Sequence, residues 1–105
     1  MWSVEYLPVA VEERATLPTD MRARLARMAD VIGQNGIANL PRDWVKHLGD
    51  RLWELRVTGK DGIARAIYVT ASGQRVVIVR IFVKKTQKTP QRELELARQR
   101  AKEVE

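Results

Sequence analysis

Arg75-Val-Val-Ile-Val-Arg-Ile-Phe-Val83 runs without a break into Lys84-Lys-Thr-Gln-Lys88, and the reading of the whole chain turns on this junction. A near-continuous apolar run of this length suits a central strand buried on both faces. Lys84, Lys85 and Lys88 follow at once, with no acidic residue in that stretch to neutralise them. Cations gathered at the end of a rigid element point to an anion that binds there, and phosphate is the first candidate.

The charge around the junction follows the same logic. Residues 1–50 carry a net charge of −1, residues 51–88 a net of +7 and residues 89–105 none, within a chain total of +6. The positive field therefore belongs to the strand-rich middle, which favours a polyanion-binding face over a generally basic surface. The 105 residues make one domain, able to bury about two thirds of its unfolded surface. Its 45% hydrophobic and 30% charged residues describe a folded globule. With no cysteine, disulfides and thiolate metal sites are excluded; with His47 as the sole histidine, so is a multi-histidine cluster. No apolar run approaches a membrane span, and no signal-peptide core is visible, so the cytoplasm is the expected compartment.

Working outward, Trp2-Ser-Val-Glu-Tyr-Leu7 alternates like a short strand closed by Pro8. Val9 to Leu17 is expected to form one or two helical turns with Glu12, Glu13 and Arg14 outward. Pro18 opens the next helix, where Met21, Leu25, Met28, Ala29 and Ile32 make one apolar stripe and Asn35 and Gly36 can both take the left-handed cap. Residues 37–50 connect around Pro41, with Asp43 to Leu48 open to a helix and Gly49-Asp50 a turn. Leu52 to Val57 alternates, with Trp53, Leu55 and Val57 on one face and Leu52, Glu54 and Arg56 on the other. Gly59-Lys-Asp-Gly62 is a hairpin loop leading to a strand over Ile63 to Val69, and Ala71 to Gln74 turns into the apolar run. A last helix opens at Thr89-Pro90, with Leu94, Ala97, Ala101 and Val104 on one stripe. The expected class is α+β in the order β-α-α-β-β-β-α, with a largely antiparallel sheet and helices packed on one face.

Leu52-Trp-Glu-Leu-Arg56, Arg65-Ala-Ile-Tyr68 and Phe82-Val-Lys-Lys-Thr-Gln-Lys-Thr-Pro90 together resemble the RelE/HigB superfamily of toxin endoribonucleases, in its phage-derived HigB-like branch. The resemblance covers nearly the whole chain and implies a single RelE/HigB-like domain over residues 1–105. It implies a type II toxin that cuts mRNA in the ribosomal A site without a metal or other cofactor, and so inhibits translation. It also implies a helix-turn-helix antitoxin as partner, in a higher-order toxin–antitoxin complex. Carried over by position, Arg56 and Arg65 would line the concave sheet face, with Lys84 and Lys85 at its edge. Several family members place a tyrosine or histidine further along for proton transfer; this chain has neither after Phe82.

Metal-free cleavage of RNA needs the 2′-hydroxyl to attack the adjacent phosphorus, and fixed cations can hold the charge that builds on the phosphoryl oxygens. Arginine meets two phosphate oxygens with its planar fork. Lysine crowded by cations gives up its proton more readily and can act as base and acid. These readings assign Arg56 and Arg65 to phosphate stabilisation and Lys84 or Lys85 to proton transfer, with Lys46, Arg80 and Lys88 on the RNA. Plainer roles exist for each. Arg56 could pair with Glu54 or Asp50, and Lys84 and Lys85 could guard a strand edge against aggregation. His47 could be mere surface, and Trp53, Tyr68 and Phe82 are expected to pack. The alternative for the whole chain is a non-catalytic basic module that binds nucleic acid or a protein partner.

Overall fold

A computed structural model describes residues 1–84 and 88–104. The chain runs β1 (Ser3–Tyr6), α1 (Pro8–Ala15), α2 (Thr19–Asn35), a short 3₁₀ turn (Arg42–Trp44), β2 (Val45–Gly49), β3 (Leu52–Gly59), β4 (Gly62–Ala71), β5 (Arg75–Lys84) and α3 (Gln91–Ala101). The five strands form one sheet in the order β1-β5-β4-β3-β2. Three pairings are antiparallel, and β1 lies parallel to β5. The α+β class and the β3–β4–β5 meander are as the sequence predicts.

Two features of the expected layout are corrected. Asp43 to Leu48 is not a helix: after the 3₁₀ turn the chain pairs as β2 against β3, with Lys46 opposite Glu54 and His47 opposite Trp53. A lone five-residue segment has little helical strength, whereas an open β3 edge offers it a full hydrogen-bond ladder. The helices also do not share one face. On one side α1, α2 and the link between them pack Ala10, Leu17, Met21, Leu25, Met28 and Ile32 onto Leu55, Val57, Ala66, Tyr68 and Ile78. On the other side Ala97 and Ala101 of α3, with Val104 just after it, pack onto Leu52, Ile67, Val69, Val77 and Val79. A strand apolar on both sides needs a cover on both, which is why β4 and β5 read as continuous hydrophobic runs. Among the described residues, no helix is long and apolar enough to cross a membrane.

A bulge in β5 decides what the second face displays. Ile67 pairs with Arg80, but the next residue, Tyr68, pairs with Ile78, so Val79 is an extra residue. Val76 and Ile78 face α2 before the bulge, and Ile81 faces it afterwards. Strict alternation would have put Arg80, Phe82 and Lys84 on the α2 side with Ile78; the extra residue moves them to the side that α3 only partly covers.

The bulge is held from outside the sheet. Because β1 pairs only with Arg75 to Ile78, the rest of the β5 edge lacks a strand partner, and α1 serves it instead. Glu13, expected to point outward, turns in. Its carboxylate accepts the Ile81 backbone N–H at 3.0 Å, and Arg100 of α3 donates to Glu13 and to the Val79 carbonyl, each at 2.9 Å. Arg80 completes the clasp by pairing with Glu13 and, at 2.7 Å, with Glu93.

Helix α2 ends at Gly36, one of the two expected cap residues, in an extended positive-φ conformation rather than the left-handed helical one expected. Gly36 caps it at φ +76° and ψ −171°, with its N–H on the Ile32 carbonyl at 2.8 Å. That backbone region is open essentially to glycine alone. A Cβ there would also sit 3.0 Å from the Trp2 indole. Gly36→Ala is expected to destabilise the fold by about 1–3 kcal/mol, read from urea unfolding, whereas an unchanged midpoint would contradict this cap geometry.

Candidate nucleic-acid interface

The charge lies on the second face beyond the residues packed under α3, and much of it is buried: Glu54, Arg65 and Lys84 are 0%, 2% and 8% exposed. Across β2, β3 and β4 the register sets Lys46 beside Glu54, and Arg56 beside Arg65, which is in turn beside Phe82 of β5. Two residues further along β5 comes Lys84. Parity puts all these side chains on one side of the sheet.

At their centre lies a carboxylate. Glu54 has no exposed surface, and Arg65 lies beside it at 2% exposure, their charged groups 3.3 Å apart. The Arg56 guanidinium lies 3.6 Å away with a third of its side chain in solvent. The other Glu54 oxygen accepts the Thr89 hydroxyl at 2.8 Å, and Lys84 Nζ donates to Thr89 Oγ1 at 3.2 Å. Four cations thus surround one buried anion, and the field over the face remains positive.

Each expected residue can now be placed. Arg56, Arg65 and Lys84 are brought together around Glu54, and Lys46 stands exposed at the β2 side of the group. Lys85 lies outside the described residues, and Lys88 is exposed in the segment leading to α3. Arg80 shares the face, but its guanidinium is engaged by Glu13 and Glu93, and the Glu93 hydrogen bond leads in raising its pKa above the ordinary value. It fastens α1 and α3 to β5, so the orienting role expected for it is not supported by its contacts. His47 falls on the α2 side, tilted against Trp53 with ring centres 4.5 Å apart, away from the cations. Trp53 remains partly exposed there, Phe82 is half-buried under Arg80, and Tyr68 is core, its hydroxyl pushed up to about 12 by burial.

Sequence reasoning missed Glu54 and Thr89 as members of the group. Glu54 had a signal: it sits between Trp53 and Leu55 in an alternating strand, on the same side as Arg56, and the pairing of Arg56 with it was foreseen. Thr89 had none, because its place depends on how the chain leaves β5. The lysine cluster is also less uncompensated than its own stretch suggests, since its counter-charge comes from β3.

Burial depresses the Lys84 ammonium below its ordinary value, and Arg65, Lys46 and Arg56 push the same way against Glu54. The direction is the one expected for a lysine crowded by cations, with desolvation as the leading cause. Burial likewise lowers Arg65, opposed by Glu54 and reinforced by Arg56.

Comparisons with known proteins bear on this arrangement. The family described as phage derived protein Gp49-like (DUF891) matches residues 12–102. Among solved structures, RelE in the archaeal RelE–RelB complex from Pyrococcus horikoshii OT3 superposes with a TM-score of 0.62 at 16% identity, covering 78% of this chain and 93% of that one. The intact E. coli RelBE toxin–antitoxin complex gives 0.53 at 14% identity over 84% and 100% of the two chains. The isolated E. coli RelE toxin gives 0.51 at 16% identity over 94% and 98%. At these identities the likeness is one of fold, and the RelE-like fold expected from the sequence is the one observed. A comparison with curated proteins finds no significant match.

The buried pair makes Arg65 a poor probe of function by deletion. Arg65→Ala would strand Glu54 in the interior, and a loss of about 3–5 kcal/mol is expected in urea unfolding. Lys84 has the opposite sign. The folded state holds the Lys84 proton less tightly than the unfolded chain does, so the charged side chain opposes folding at neutral pH. That opposition fades as pH rises from the folded pKa toward the ordinary 10.5. The unfolding midpoint of the parent should therefore rise relative to that of Lys84→Met as pH goes from about 7 toward about 10. A difference between the two that falls over that range would contradict the assigned sign.

Proposed function

The chain belongs to the Gp49-like family of phage-derived proteins, and from that premise we propose that it is the toxin of a toxin–antitoxin pair, a metal-independent endoribonuclease that cuts mRNA in the ribosomal A site. The observation that carries the reading is Lys84 grouped with Arg65 and Arg56 around buried Glu54 on the α3 side of the sheet, with Arg56 reaching solvent. The fold relatives, a RelE toxin and RelE in complex with RelB, support the toxin assignment and an antitoxin partner. A helix-turn-helix protein is the antitoxin expected, with the ribosome as the place of action and the cytoplasm as the compartment.

In this mechanism the 2′-hydroxyl oxygen attacks phosphorus as the bond to the 5′-oxygen breaks. The products are a 2′,3′-cyclic phosphate and a 5′-hydroxyl, and no water is consumed. Arg56, with a third of its side chain in solvent, meets the phosphoryl oxygens directly; Arg65 adds its charge from beneath. Lys84 in its neutral form takes the 2′-hydroxyl proton, and the ammonium so formed returns a proton to the departing 5′-oxygen. Lys46 and Lys88 hold the RNA backbone, and Lys85 is the alternative to Lys84 for proton transfer. Arg80 is left to the fold.

Purified protein, with and without ribosomes, should cleave RNA in EDTA, since fixed cations meet the phosphoryl charge, and mass spectrometry should find cyclic phosphate ends. Lys84→Met should slow cleavage by roughly 10²–10⁴-fold and Arg56→Ala by about 10²-fold, while Lys102→Ala, on the exposed end of α3, leaves it unchanged. Added salt should weaken RNA binding. Products with 5′-phosphates, or equal rates in all three variants, would overturn the mechanism. RNA binding without cleavage under every condition would favour the non-catalytic module.

A further inference from the structure

We propose that Thr89 and Glu54 are positioning residues that aim Lys84, with the Thr89 hydroxyl fixed as an acceptor of a Lys84 N–H. The inference rests on the ribonuclease reading for its reaction but on geometry for its logic. A threonine hydroxyl has one proton to donate and lone pairs to accept with. The Glu54 carboxylate, held between Arg65 and Arg56, accepts the Thr89 hydroxyl at 2.8 Å, which commits the Thr89 proton to Glu54. The 3.2 Å contact between Lys84 and Thr89 must then run from Nζ to the hydroxyl oxygen. Lysine donates through this bond whether charged or neutral. In its neutral form the amine still spends an N–H on Thr89, so that contact makes no claim on the lone pair a base needs. Were Glu54 absent, Thr89 could turn and donate to the amine, blocking the base.

The placement is enforced from both ends. Glu54 is locked in β3 with no exposed surface, and Thr89 is buried two residues before α3. The first turn of α3 is held by Glu93 on Arg80, so the clasp that secures the bulge also sets where Thr89 stands. Charged groups on three other strands act on Lys84: Lys46 on β2, Glu54 and Arg56 on β3, and Arg65 on β4. Glu54 is the one anion among them, and it reaches Lys84 through Thr89.

The test uses Thr89→Val, which keeps the shape and removes the hydroxyl, and Thr89→Ser, which restores it. Lys84 is titrated by NMR in ¹³C-lysine-labelled full-length protein, a readout that needs no activity. Thr89→Val takes away an acceptor of the ammonium, so the Lys84 midpoint should fall below the parent's, while Thr89→Ser keeps it. Cleavage by Thr89→Val should lose about tenfold or more in kcat with RNA affinity unchanged, its pH–rate midpoint moving down with the NMR midpoint. Thr89→Ser should recover both. Glu54→Gln, if folded, should also lower the Lys84 midpoint. An unshifted Lys84 midpoint in folded Thr89→Val, or a kcat loss that Thr89→Ser fails to restore, overturns the proposal. A midpoint that shifts as stated in a protein that cleaves no RNA overturns the ribonuclease reading and leaves the hydrogen-bonded chain standing.

Discussion

The cationic face depends on one buried carboxylate. Arg65 sits in the middle of a five-stranded sheet at 2% exposure, where an isolated charge would be driven out. Glu54 on the neighbouring strand makes its burial tolerable, and Arg56 and Thr89 take their places around the same two oxygens. Such a pair adds little net stability against an apolar replacement, since desolvating two charges consumes most of their attraction. What it supplies is position. A guanidinium gripped from one side presents its charge at one spot, and a hydroxyl whose proton is committed can act only as an acceptor.

A second polar assembly holds the scaffold on which that face is built. Glu13, Arg80, Glu93 and Arg100 join α1, β5 and α3, and their bonds to the Ile81 N–H and Val79 carbonyl satisfy the backbone that the bulge leaves without a strand partner. Buried backbone groups left unpaired are costly, so a bulge at this depth requires side chains that reach it. The two assemblies divide the charged residues between them. Arg80 serves architecture, and Arg56, Arg65 and Lys84 are gathered where a phosphate could approach.

The uneven cover of the second face follows from α3. Its packing residues Ala97 and Ala101 are small, and with Val104 beyond its end they lie over the part of the sheet lined by Leu52, Ile67, Val69, Val77 and Val79. Beyond them the strands turn from apolar to charged at Glu54, Arg65 and Lys84, where no apolar stripe could be matched. The same strands therefore serve as core at one end and as a binding floor at the other.

Much of this was legible in the sequence. The stripe from Met21 to Ile32, the alternation of β3, the Gly59–Gly62 loop and the apolar run into Lys84 each report a local periodicity that the fold obeys, and the three motifs identified the family. Local pattern was silent where the answer lay in a distant partner. Strand β2 exists because β3 had an edge to fill. Glu13 turns inward because β1 stops short, leaving a backbone N–H to satisfy. Strict alternation along β5 would have put Arg80, Phe82 and Lys84 beneath α2; one extra residue, Val79, sends them to the other face, and it is secured by Glu13 and Arg100 from two helices. By itself the sequence determined which elements form and which cations they carry. Only the tertiary structure decided which cations meet and around what anion, because the counter-charge of Lys84 and Arg65 is supplied across the sheet by Glu54 rather than by any neighbour along the chain.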